Sequence, residues 1–366
     1  MNITFINRMI GIVLGGGENF DINMAKALKE RGHNIKFVAG TRYKTEKNEN
    51  HLCNFETNYI KSLYLRGISY KVKPSNYLKK IVSAGSLELD LWLFENKALR
   101  HLKNDEWTDI YQICGLPRLG SNLTKKTVIR WPGPPSKRKL EFMLNNDVNI
   151  ANGDAFRFIR HNLLPSVQKV NIGVDTEKFY PAKRRRTKEV SFLFVGRIMP
   201  IKNLKFMFEG FIIAKKLNPY IRLNIVGVGD KKEVKRLKQI SKGVKEITFL
   251  GEKKGEDLIK EYQRNDVFII TSNYDNYPNV IFEAMASGLP VIATNVGGIP
   301  SQVINNKTGF LIELNNIEEL KNKILLLAES FEKRLEMSLA SREKVQLEHS
   351  WQKSALDLEK IYMKII

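Results

Sequence analysis

The sequence predicts an α/β chain of two domains, each built on a parallel sheet with helices on its faces. Three observations carry this. The chain has 366 residues, more than a single core usually organises. Short apolar runs, each followed by a glycine turn and then an amphipathic helical stretch, recur along its length. The clearest instance is residues 272–299, SNYDNYPNVIFEAMASGLPVIATNVGGI, which follow the apolar run 267–270. They read as loop, helix, turn, strand and loop, one repeat of an open α/β sheet, a fold that binds ligands at its strand ends.

Composition narrows the class. A hydrophobic content of 43% is ordinary for a globular protein. The two cysteines, Cys53 and Cys114, lack metal-ligand spacing, and a reduced cytoplasmic protein is the simpler reading. The formal charge of +21 is spread over both halves of the chain. It suits an anionic ligand, an anionic membrane surface or nucleic acid, although a lysine-rich solvated surface accounts for most of it. No recognisable nucleic-acid module accompanies the charge. No apolar run approaches the roughly 20 residues of a membrane span. Arg8 interrupts residues 1–14, and no small-residue cleavage site follows, so they read as a first buried strand rather than a signal peptide.

In the first half, a strand at 3–5, with its region reaching toward 13, ends in Gly15-Gly16-Gly17. A helix follows over 18–31, stopped by Gly32, and then a strand over 35–39. A glycine loop before a helix lets backbone amides approach a phosphate closely. It is no dinucleotide fingerprint, because Phe20 stands where a third glycine would be. Between 41 and 108, aromatic residues such as Tyr59, Tyr64 and Tyr70 interleave with lysines. That pattern fits either a membrane-facing surface or ordinary outer helix faces, the latter preferred. A helix over 86–102 follows, with strands at 109–114, 128–130 and 149–151 and a helix over 155–162.

The second half opens after a basic linker, 181–188, with a strand at 191–195 and then Gly196-Arg197-Ile198-Met199-Pro200-Ile201-Lys202-Asn203. A helix over 204–217 follows, with Asn203 expected as its N-cap. Further strands are expected at 221–226, 247–250, 301–304 and 309–312, and helices at 317–330 and 331–348, before a terminal helix reaching 366. Asn279 is expected to cap the helix of the central unit, and Gly288 to end it.

The candidate chemistry gathers at these strand ends. Arg197 and Lys202 stand beside a helix start, where a guanidinium and an ammonium suit a phosphate, or are simply two surface cations. Asp275 and Glu283 can accept from the hydroxyls of a polyhydroxylated ligand. Their bland alternatives are a turn cap and a carboxylate complementing a helix dipole.

The central stretch, Asp275 and Glu283 separated by seven residues and followed by AMASGLPVIAT and a glycine pair, resembles the E-x7-E signature of family-4-type retaining GT-B glycosyltransferases. GGGENF with AKALKERGHNIKFV, NIGVDTEKF and the G-R-x4-K spacing resemble further elements of that family. The resemblance implies two Rossmann-like domains facing a central cleft: an acceptor domain over 1–180 that includes the start of the linker, a nucleotide-sugar domain over 181–348, and a C-terminal helix over 349–366 crossing back. It implies that Gly196, Arg197 and Lys202 hold the diphosphate together with amides of Gly16 and Gly17, and that Glu283 holds the ribose. Asp275 and the backbone of Asn276, Tyr277, Pro278, Asn279 and Val280 would meet the transferred sugar, with Gly251 and Leu258 against the base. Arg197, Lys202 and Asp275 would be the catalytic groups.

Glu18, Asn19, Arg130 and Trp131 are the acceptor-side candidates. The chain departs from the family pattern with Asp for Glu at 275, Asn for Gly at 276, and Trp131 or Pro132 near the place of an acceptor-side histidine.

The implied activity is transfer of a sugar from a UDP- or GDP-linked donor to a hydroxyl of a glycan, lipid-linked or small-molecule acceptor. No metal or other cofactor is expected, since no Asp-x-Asp pair is present. The implied setting is cytoplasmic, with peripheral contact to an anionic membrane. The rivals are a nucleotide-sugar 2-epimerase of the same architecture, a glycosidase using Asp275 and Glu283, and a non-catalytic nucleotide-sugar or nucleic-acid binder.

Overall fold

The computed structural model describes residues 1–12, 16–41, 52, 54–62, 77–183 and 186–366, with side chains left out at residue 16 and over 77–87. Val13, Gly15, Cys53, the core of the aromatic–lysine stretch at 63–73, and Arg184 with Arg185 lie outside the described residues. The chain forms two compact units, Met1–Asn171 with Ser354–Ile366, and Ile172–Lys353.

In the first unit, β1 (Asn2–Gly11) leads into α1 (Gly16–Glu30), β2 (Asn34–Thr41), β3 (Glu56–Lys61) and α2 (Tyr77–Leu102). Next come β4 (Ile110–Cys114), α3 (Pro117–Gly120), β5 (Lys126–Trp131), α4 (Leu140–Leu144), β6 (Val148–Ala151), α5 (Gly153–Asn162) and β7 (Gln168–Lys169). The strands pair in parallel, in the order β3-β2-β1-β4-β5-β6-β7. Such strands are covered on both faces, so β1 and β5 read as runs of buried residues rather than alternating ones.

The second unit holds β8 (Val190–Val195), α6 (Leu204–Leu217), β9 (Ile221–Val226), α7 (Lys231–Ile240), β10 (Ile247–Gly251), α8 (Gly255–Arg264) and β11 (Val267–Ile270). It continues with α9 (Asn279–Ala286), β12 (Val291–Thr294), β13 (Gly309–Ile312), α10 (Ile317–Glu329) and α11 (Phe331–Glu348). Its sheet order is β10-β9-β8-β11-β12-β13, again parallel. Successive strands build outward from β8 in one direction and from β11 in the other. The reversal between them opens a crevice at the strand ends, the usual ligand position in such sheets.

The last helix, α12 (Trp351–Tyr362), starts within the second unit and ends within the first. In the first unit Tyr362 is fully buried and donates to Gln112 Oε1 at 2.8 Å, while Glu359 takes hydrogen bonds from Arg31 and His33.

Three expectations change here. The unit boundary falls at 171/172 rather than 180/181. Residues 172–180 pack on the second unit, where Val174 N–H donates to the His349 carbonyl at 2.7 Å and Arg342 grips the Thr176 and Phe179 carbonyls. The return crossing falls at 353/354, inside α12 rather than before it. Residues 301–304, expected as a strand, begin in a 3-10 turn (Ile299–Ser301), because the apolar Val303 and Ile304 follow a helical turn that starts at the glycine pair.

Candidate functional site

The candidate site lies at the carboxyl ends of β8 and β11. After β8 the chain turns at Gly196, whose φ of 156° brings Arg197 out as an exposed side chain. Among the described residues Arg197 has no carboxylate partner. A 3-10 turn, Pro200–Lys202, leads to Asn203, which has a left-handed backbone with φ 48°. Asn203 stands at the N-cap position of α6, as expected from the sequence, but its side chain makes no capping hydrogen bond. Its amide instead donates to Asn273 Oδ1 at 2.9 Å and Asn315 Oδ1 at 3.2 Å. Asn tolerates the left-handed region better than most residues, so the same side chain supplies both the turn and the tie.

Two further ties fasten the loop after β8 to the loop after β11. Thr271 Oγ1 donates to the Asn203 carbonyl at 3.1 Å, and Asn273 N–H to the Ile201 carbonyl at 2.8 Å. Held this way, the Lys202 ammonium meets the Asp275 carboxylate in an ion pair, and both side chains are less than a fifth exposed. A third loop supports Asp275 from behind: the Gly298 amide donates to the Asp275 carbonyl at 2.9 Å. Gly297, with φ 54°, has to be glycine, because a Cβ there would sit 2.0 Å from that same carbonyl.

Glu283 lies one turn into α9 and is half-buried. The helix starts at Asn279 with Pro278 as its cap residue, so Asn279 is a helical residue rather than the expected N-cap. Burial pushes the Glu283 carboxyl above its ordinary range, and a hydrogen bond from the Tyr262 hydroxyl to Oε2 at 2.8 Å pulls it partly back. Tyr262, on α8, is fully buried against Phe179 and Phe268, and burial together with the Glu283 charge pushes its phenol well up.

The sequence reading missed Tyr262. Its signal was a tyrosine in the polar stretch between the strands at 247–250 and 267–270, since a buried phenol needs an acceptor.

Of the other donor-side residues, Asn276, Asn279 and Val280 are half-buried, and Tyr277 and Pro278 are buried. The Tyr277 ring packs edge-on against Phe282 at 5.3 Å. Pro278 has no N–H, and its carbonyl accepts from Gln302 at 3.1 Å, so it has no amide to offer a sugar. Gly251 ends β10 with φ 73° and lines a groove of about 620 Å³ with Ile198, Phe249 and the Lys235 and Lys238 side chains. Leu258, half-buried in the first turn of α8, does not line it.

In the first unit Gly17, Glu18 and Asn19 form the half-buried first turn of α1. The acceptor-side expectation for Arg130 and Trp131 is not met by their placement, since they are 3% and 2% exposed. Both belong to β5, a central strand whose side chains face helices rather than solvent. The Arg130 guanidinium donates to Asp21 Oδ1 at 2.9 Å, the Gly17 carbonyl at 2.9 Å and Cys114 Sγ at 2.9 Å. Although burial works against the charge, Asp21 outweighs it and holds Arg130 firmly protonated, while burial raises the Cys114 thiol. The Trp131 indole donates to Asn149 Oδ1 at 2.9 Å. These two residues brace the sheet and the α1 turn from beneath. Asp21, an acidic residue on the apolar face of α1, was the overlooked signal.

Two parallel-sheet units, with a cation and acidic groups at the strand ends of the second, have the α/β architecture of the GT-B glycosyltransferases. Residues 175–344 match the family model for glycosyl transferases group 1. A UDP-Gal:alpha-D-GlcNAc-diphosphoundecaprenol alpha-1,3-galactosyltransferase of Escherichia coli is 35% identical over 42% of this chain and 43% of its own length. An uncharacterized glycosyltransferase of Haemophilus influenzae is 26% identical over 90% of this chain and 91% of that one. The first curated relatives are longer than their matched parts, and the chain spans 36% and 50% of two of them. Among solved structures, Anabaena HepE in complex with UDP and glucose superposes with a TM-score of 0.74 at 16% identity, covering 100% of both chains. At that identity the likeness speaks for the fold alone. No described helix is long and apolar enough to cross a membrane.

Proposed function

We propose that the chain is a retaining glycosyltransferase that moves a sugar from a UDP- or GDP-linked donor to a hydroxyl of a glycan or lipid-linked acceptor. The observation that carries this reading is the Lys202–Asp275 pair, fixed at the switch point of the second sheet with Glu283 on the helix that follows. Lys202 and the exposed Arg197 provide positive charge for a diphosphate, and Asp275 and Glu283 provide acceptors for hydroxyls. Support for the donor class comes from the Anabaena relative in fold, which binds UDP and glucose. Support for a lipid-linked acceptor comes from the E. coli relative, named for a diphosphoundecaprenol substrate.

In this reading Glu283 takes the ribose hydroxyls. Arg197 and Lys202 stabilise the charge that grows on the departing diphosphate as the acceptor hydroxyl attacks the anomeric carbon. Removing one such cation is expected to raise the barrier by about 3 kcal/mol, on the scale of a lost oxyanion donor. Gly16 and Gly17 remain proposed donor-side amides, and Glu18 and Asn19 proposed acceptor-side groups. No metal takes part, so turnover should survive EDTA.

The decisive experiment is a calorimetric panel of UDP, GDP and their hexose conjugates on wild-type protein and Glu283→Ala. Binding of one nucleotide family, strongly weakened in the variant, is expected; unchanged affinity in Glu283→Ala would remove the ribose assignment. Product analysis by NMR then decides retention against inversion. Cosedimentation with anionic vesicles tests the peripheral membrane contact proposed from the net charge of +21.

A further inference from the structure

We infer that Asp275 is a specificity-determining residue that makes the site prefer an intact nucleotide sugar over the spent nucleoside diphosphate. The inference rests on the donor-site reading above and concerns what happens to the Lys202–Asp275 pair when each ligand arrives.

Without ligand, the Lys202 ammonium is neutralised by Asp275, and both side chains are largely removed from water. The ties from Asn203, Thr271 and Gly298 hold the two backbones, so neither side chain leaves by moving its loop. A diphosphate that recruits Lys202 therefore takes the cation away from Asp275. A partly buried carboxylate that loses its partner is destabilised by the desolvation it no longer offsets.

The two ligands differ in what they return. A nucleotide sugar brings hydroxyls that donate to the Asp275 carboxylate, so the exchange of partners is complete. A bare nucleoside diphosphate brings none, and Asp275 is left charged and unpaired. The pair thus acts against the product and for the substrate, a discrimination built by penalising the wrong ligand. A bound ligand shifts a protein only through such differences in contact energy. After transfer the sugar departs with the acceptor, and the carboxylate reclaims Lys202 as the diphosphate leaves.

The predicted signature runs against the usual effect of mutating a ligand-binding carboxylate. Asp275→Asn keeps the shape and removes the charge, so it should tighten the bare diphosphate by about tenfold, the scale of one hydrogen bond to a charged group. The same change should weaken the nucleotide sugar. Calorimetry with UDP, GDP, UDP-glucose and GDP-mannose reads both, on wild type, Asp275→Asn, Asp275→Glu, Lys202→Ala and the Lys202→Ala/Asp275→Asn double variant. Asp275→Glu, which can rebuild the pair, should return diphosphate affinity toward wild type. In the Lys202→Ala background the tightening should vanish.

Unfolding midpoints confirm that the variants are folded, and Asp275→Ala serves as a second charge-removing variant if the asparagine form is not. Diphosphate affinity unchanged or weakened in folded Asp275→Asn or Asp275→Ala overturns the partner exchange alone. Tightening that persists without Lys202 also overturns it. Wild-type protein that binds neither UDP nor GDP overturns the donor-site reading, and this inference falls with it.

Discussion

Glu283 shows how one side chain is set by its surroundings at the residue scale. Its carboxyl is raised by burial, so the folded state favours the protonated form. The stabilising contribution of that form is complete below the ordinary value of 4.5 and is lost as pH rises through the higher folded value. Glu283→Gln, which cannot ionise, should therefore raise unfolding stability relative to wild type increasingly above that range, while weakening donor binding. Urea melts of both proteins from acid to neutral pH check the sign. Tyr262→Phe should weaken donor affinity with little change in turnover, by about 1–3 kcal/mol, because an acceptor in a buried site loses its donor. A matching fall in kcat would show that the phenol does more than orient Glu283. The sequence displayed Glu283 through its spacing from Asp275 but not Tyr262, which lies on a different helix. The fold brings the phenol to the carboxyl as a hydrogen-bond donor.

At the element scale, three short loops make the site, and glycine and asparagine geometry make the loops. Gly297→Ala should disrupt the Asp275 loop, since its Cβ meets a carbonyl at 2.0 Å and its backbone is left-handed. The left-handed conformation alone costs an alanine about 1–2 kcal/mol. UDP affinity should fall more than the melting temperature does, as measured by calorimetry beside thermal unfolding. In the first unit, Arg130→Met should destabilise by about 3–5 kcal/mol, because Asp21 is left as a buried, unpaired charge. The double variant Arg130→Met/Asp21→Leu should recover much of the loss in denaturant melts.

Elements were readable where their apolar runs were bounded by turn residues. Helix Leu204–Leu217, strand Gly309–Ile312 and helix Phe331–Glu348 match their expected spans. The roles of Asn203, Asn279 and Arg130 were not readable. An asparagine before a helix has the same local sequence whether it caps, turns left-handed or joins the first turn. A basic residue closing a strand looks exposed until the partner carboxylate, more than a hundred positions away, is placed beside it.

At the scale of the whole molecule, the first unit is closed by residues 354–366, which follow the entire second unit in sequence. Ala355, Leu358 and Tyr362 of α12 are fully buried there. Glu359 is held below its ordinary range: burial opposes this, but the hydrogen bonds from Arg31 and His33 prevail. Its contribution is present above 4.5 and lost as pH falls through the lower folded value. Acidification should therefore loosen α12 before the second unit melts, seen as earlier hydrogen exchange at 354–366 than in β11 and β12. Deleting 354–366 should likewise lower the first unit's melting temperature while leaving β8–β13 protected. Two α/β units were legible from length and repetition. The return of the last helix to the first unit was implied by the family resemblance, but the crossing point at 353/354 was not legible, because a helix that leaves one core for another keeps an unbroken periodicity.

The discontinuity of the first unit also orders the folding of the nascent chain. On the ribosome, residues 1–171 emerge with a gap in their core that only 354–366 fill, whereas 172–353 are contiguous. The second unit can reach its native state first, and the first must wait, its unsealed face a ready client for chaperones until translation has passed Tyr362.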